Sequence, residues 1–185
     1  MKLRSALLSV VTLGLAVAAT ANAGQPASFW SYPAIRGYGP EHVWPGVAER
    51  PQADKHYKAL FDLTQGKAAA AKVNPGLDHV ARTVNIFAAA GVPVRNLRFD
   101  VIIHGPATPL VLSAAAYQAK FGHPNPNLAV IAALRKAGVK IMVCGNALAD
   151  MHLTPGEVNP QIEVALSALS TVIILQNQGY ALVRM

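Results

Sequence analysis

The chain has 185 residues, a formal charge of +7 from 16 Lys and Arg against 9 Asp and Glu, and an apolar fraction of 52%. That length makes one domain with a sizeable core. The scattered basic residues exclude the concentrated stripe of a nucleic-acid binder, and a single cysteine excludes an internal disulfide.

Residues 1–23 predict a secretory signal peptide. Lys2 and Arg4 form a basic start, residues 6–19 an apolar run too short to span a bilayer comfortably, and Ala21-Asn22-Ala23 a small-x-small cleavage site. Cleavage after Ala23 leaves 162 residues (185 − 23) and removes two positive charges, giving +5. The expected location is periplasmic or secreted, with no stable membrane span after cleavage.

Residues 24–54 carry Pro26, Pro33, Pro40, Pro45 and Pro51, a density that opposes regular structure. They also hold Phe29, Trp30, Tyr32, Tyr38 and Trp44. Disordered tails are poor in aromatics. The segment is therefore expected to be an extended arm docked on a surface of its own chain or of a neighbour.

Residues 55–185 predict an α/β domain. Positions 56–64 alternate polar and apolar, as a strand does. Asn74-Pro75 is a helix start, and Leu77, Val80, Ala81, Val84 and Phe87 follow at helical spacing to Gly91. Residues 67–73 fit either a loop or a short helical turn. Residues 95–104 form a second strand closing on His104-Gly105-Pro106. Loop and helix follow to Gly122, and Asn125-Pro126 opens another helix ending at Gly138. Residues 139–143 are a third strand, running into Cys144. A short helix at 147–151, a strand at 161–166, a helix from Ala168 to Gly179 and a strand at 180–184 complete the chain. Strand alternating with helix predicts a layered α/β/α sandwich of about five mainly parallel strands.

In such sheets chemistry gathers at the carboxyl ends of strands. His104-Gly105 and Cys144-Gly145 stand at two such ends. Glycine after each lets the backbone turn sharply and a ligand approach, which makes Gly105, Gly145 and Asn146 candidate ligand-binding positions. Amides opening the following short helix would face the thiol, and His104 beside it would add positive charge, together favouring a thiolate. Three readings of Cys144 stay open: a nucleophile or sulfur carrier, a soft-metal ligand, or a small core residue. The metal reading draws on Met142, Met151 and His152 and suits copper. The core reading makes the chain a non-enzymatic assembly module, with Asn146 merely capping the short helix. No phosphate-cradling glycine loop or Gly-x-Ser-x-Gly motif is present, and no cofactor is expected.

Three segments carry a family resemblance: His104-Gly105-Pro106, Val143-Cys144-Gly145-Asn146-Ala147-Leu148, and the tail through Gln176-Asn177-Gln178-Gly179-Tyr180-Ala181. Residues 55–185 resemble the DsrE/DsrF-like family, the sulfur-relay group that includes DsrE and TusD type proteins. The resemblance implies a five-stranded α/β fold, a homo- or hetero-oligomer, and a persulfide-accepting cysteine, a role that only Cys144 matches. The functional expectation is an exported, sulfurtransferase-like carrier of sulfane sulfur that exchanges with a donor or acceptor protein through a solvent-reachable Cys144.

Overall fold

The computed structural model describes residues 29–66 and 71–185. The expected signal peptide, positions 24–28 of the expected arm and positions 67–70 of the uncertain loop lie outside the described residues.

The strands are β1 (Tyr57–Leu63), β2 (Leu97–Ile103), β3 (Lys140–Cys144), β4 (Glu163–Ala165) and β5 (Ala181–Arg184). The helices are α1 (Pro75–Ala89), α2 (Ala114–Phe121), α3 (Leu128–Lys136), α4 (Gly145–Asp150) and α5 (Ala168–Asn177). The strands form one sheet in the order β4-β3-β2-β1-β5, parallel at every pairing. Crossovers are long, and both faces of the central strands are covered, as all-parallel sheets require.

Period-two alternation divides the side chains between two cores. Phe61, Leu63, Phe99, Val101, Ile103, Ile141 and Val143 join the larger one. Leu77, Val80, Ala81 and Val84 of α1 and Val130, Ile131 and Leu134 of α3 seal it. Leu60, Ile102, Met142 and Cys144 face the opposite side, where Ala168, Val172 and Leu175 of α5 cover them.

Local chemistry sets the element ends. The Asn74 side chain caps α1 by accepting from the amides of Gly76 and Leu77. Two expected starts shift. Asn125-Pro126 does not open α3: the Asn125 amide donates to the carbonyls of Leu110 and Leu112, its oxygen accepts from Asn127, and the helix begins at Leu128. The short helix begins at Gly145 rather than 147, because Cys144 is its cap and Asn146 is already inside it. The fourth strand keeps only three residues, since Val164 and Leu166 are exposed at the sheet edge rather than packed inward.

The described part of the arm docks on its own chain. The Asn85 side chain, fully buried on α1, accepts from the amides of Ala34 and Ile35 and donates to the carbonyls of Ile35, Tyr38 and Gly39. One side chain thereby satisfies the arm's backbone groups where they leave water. Gly39 also donates to Asp78 at 2.7 Å. A Cβ at Gly39, where φ is +57°, would sit 2.0 Å from the Arg82 amide nitrogen, so only glycine fits. Ile35 enters the larger core, and a Ser31–Glu41 bridge closes the loop with backbone bonds of 2.8 and 3.0 Å.

Asn85→Ala leaves those arm amides and carbonyls without partners. It should lower unfolding stability by about 2–3 kcal/mol in urea titration and expose the segment around residues 31–41 to limited proteolysis.

Candidate functional site

Cys144 and His104 occupy neighbouring strand ends. Ile103 pairs with Val143 in the β2–β3 register, and each candidate is the next residue along its strand. Parallel strands run about 4.8 Å apart, so the two residues start side by side. Cys144 lies on the α5 face of the sheet.

A third residue, absent from the sequence reading, joins them. Asp62 of β1 holds His104, with Oδ1 2.6 Å from Nε2. The carboxylate accepts a proton held on Nε2, which leaves Nδ1 of a neutral ring as the nitrogen able to take or give one. Both side chains are partly exposed, at 28% for His104 and 17% for Asp62. The signal for Asp62 was its place in β1: a carboxylate between Phe61 and Leu63 points opposite to them, at the strand's carboxyl end.

Cys144 itself is a correction. It was expected to be reachable, yet it is 5% exposed. Its core contains Leu60, Ile102, Met142, Ala147 and Ala168, with Ala165 beside it in register on β4. Ala147 and Ala168 share that core, with Val172, Leu175 and Tyr180 packed against it. The thiol caps α4, with Sγ accepting from the Ala147 amide at 3.4 Å. This is the amide contact expected from the helix start, although the helix itself begins two residues earlier than expected.

The two glycines differ. Gly105 has φ +54° and open space where a Cβ would stand. Gly145 offers no space: a Cβ there would lie 2.9 Å from the Ala165 carbonyl oxygen and 3.3 Å from that of Leu166. Its missing side chain admits the β4–α5 turn, not a ligand. Asn146 is exposed on the first turn of α4. A cleft of about 990 Å³ opens elsewhere, beside the ends of β1 and β5, lined by Leu63, Asn74, His79, Leu110 and Met185 among others. Neither Cys144 nor His104 lines it.

The sulfurs proposed for copper separate. Met142 shares the core of Cys144, whereas Met151 packs against the larger core across the sheet. Among the described residues, no three His, Cys, Asp or Glu side chains gather as a metal site.

Toward the amino ends of the same face the sheet is charged. Lys140 and Glu163 pair at 2.8 Å, and Asp100 is buried beside them. Burial raises the Asp100 carboxyl above the usual carboxylate range; Lys140 opposes the shift and Glu163 adds to it.

A sequence model of the DsrE/DsrF-like family matches residues 51–185. No curated protein matches. Among solved structures, a protein of unknown function, MTH1491 from Methanobacterium thermoautotrophicum, superposes with a TM-score of 0.50 at 15% identity, covering 70% of this chain and 99% of its own. That likeness is one of fold.

Two outcomes follow. The Asp62–His104 bond fixes a tautomer, so ¹⁵N NMR should find the proton of neutral His104 on Nε2, and Asp62→Ala should yield a tautomer mixture with the fold retained. Asp100 binds its proton more tightly folded than unfolded, so its charging costs stability as pH rises from the unfolded value through the folded one. Asp100→Asn should therefore be more stable than the parent near neutral pH, and the gap should close in acid, as read by urea titrations across pH.

Proposed function

The chain belongs to the DsrE/DsrF-like family, one generally linked to sulfur relay, and on that footing we propose that it carries sulfane sulfur on Cys144 in an exported, oligomeric protein. The observation that carries this reading is the row of Asp62, His104 and Cys144 at the carboxyl ends of β1, β2 and β3.

The chemistry is an exchange. The Cys144 sulfur attacks the outer sulfur of a donor persulfide, the donor's S–S bond breaks, and its thiolate leaves. A new S–S bond on Cys144 replaces the one lost, so no external oxidant is required. His104, steadied by Asp62, takes the thiol proton and returns it to the leaving sulfur. The Ala147 amide supplies a hydrogen bond to charge forming on Sγ. Access requires the β4–α5 turn, which closes over Gly145 beside the thiol, to move away. The donor is a persulfide on a protein or small molecule, and the acceptor is a protein or small-molecule thiol. Cleavage after Ala23 would release the carrier outside the cytoplasm, where a free thiol needs such cover against oxidation.

The burial of Cys144 also favours a second reading, a structural thiol in an assembly module. Mass analysis of protein purified without reductant separates the two. The relay reading expects an added mass of about 32 Da, one sulfur, on the peptide holding Cys144, removed by reductant. Two oxygens add nearly the same mass but resist reductant. An unmodified peptide that also takes no sulfur from an added persulfide donor would leave only the structural role.

A further inference from the structure

The cleft beside β1 and β5 stands where the sheet changes direction. From β1 the strands follow in sequence to β4, and the chain then returns to add β5 on the other side of β1. The helix leaving β1, α1, packs on the larger core, whereas α5, which leads into β5, packs on the opposite face. The two connections therefore part at the β1–β5 pair. Open α/β sheets bind ligands in the crevice outside the carboxyl ends of strands at such a point. At about 990 Å³ the cleft is at the upper end of the range of small-molecule sites.

The lining selects the ligand. Its inner part is apolar: Leu63 and Leu110 are buried there, with Val73 half-buried beside them. Asn74, the buried polar side chain of the lining, is fully engaged. Its Nδ2 donates to the Gln65 carbonyl at 2.9 Å, and its Oδ1 accepts from the amides of Gly76 and Leu77. Those amides open α1, so the helix start has none of them left for an anion. Thr64 donates through its amide and hydroxyl to the Met185 oxygen. A sugar or nucleotide entering here would lose hydrogen bonds to water without replacement, whereas an apolar body would not. The rim is different. Lys72, Arg184 and the His79 imidazole line the cleft and are exposed. No described Asp or Glu lines it, and among the described residues none of the three pairs with a carboxylate.

We propose that this cleft binds a small amphiphilic carboxylate, its apolar tail inside and its head group on the cationic rim. The Arg184 guanidinium matches a carboxylate with paired N–H donors, and Lys72 adds a point charge. Neither Cys144 nor His104 lines the cleft, so the inference stands or falls apart from the carrier reading.

Isothermal titration calorimetry of the purified full chain with hexanoate, octanoate and decanoate, each below its micelle concentration, tests the proposal. One carboxylate should bind per protein, with affinity rising about fourfold for each methylene added. Decanol, the same tail without the charge, should bind more weakly at neutral pH, and acetate should give no measurable binding. At least one of Lys72→Ala and Arg184→Ala should weaken decanoate several-fold and leave decanol unchanged. Lys136→Ala, a basic position of α3 outside the lining, should leave both unchanged. NMR should show decanoate shifting the ring resonances of His79 and not those of His123, which lies outside the lining. Absence of decanoate binding would overturn the proposal. So would affinity that ignores tail length, decanol binding as tightly as decanoate, Lys72 and Arg184 variants that both match the parent, or a shift at His123 as large as that at His79.

Discussion

The parallel register of β1, β2 and β3 is the constraint on which the rest of the molecule depends. Hydrogen bonding fixes Asp62 opposite Ile102, and Ile102 opposite Met142. Side chains alternate faces along each strand. Those two facts bring Asp62, His104 and Cys144 to one edge of one face although 42 residues separate the first two. A one-residue slip of β3 would turn Cys144 into the larger core and move Val143 out. That slip is opposed by Ile141 and Val143, fully buried between β2 and the helices.

The same constraint explains why the site is guarded. A parallel sheet needs both faces covered, and on this side α5 supplies the cover. Gly145 lets the β4–α5 turn close directly onto the end of β3, and the sulfur lies buried beneath that side of the sheet. The Asp62–His104 pair stays partly open at the adjacent strand ends. A carrier that protects its sulfur between transfers fits such an arrangement, and so does an inert core cysteine. What distinguishes them is whether the turn opens while the sheet stays intact.

Much of the fold was legible because its signals are local. Asn74-Pro75 marked α1, the apolar run before Cys144 marked β3, and Gly179 marked the end of α5. The missed features depend on distant partners. Asn125 resembles a helix cap until Leu110 and Leu112 claim its amide. Asn146 is a better capping residue than cysteine by side-chain chemistry, yet the strand delivers Cys144 to the capping position first. Nothing around Asn85 announces that it organises an arm some fifty residues earlier. Asp62 gave a usable clue, a carboxylate on the outward beat of an apolar strand, but its pairing with His104 needed the register. The reachability of the thiol was legible nowhere, because it depends on how closely β4 and α5 settle over Gly145.

The most direct test of the account is the rate at which a small alkylating reagent labels Cys144 in native protein, followed across low urea concentrations and compared with the global unfolding rate. If the β4–α5 turn is a moving cover, labelling proceeds through a local opening, faster than global unfolding and nearly independent of denaturant. Labelling that coincides with unfolding and rises with urea along the same slope would mean that the sulfur is sealed in the folded molecule, and the carrier account would be wrong.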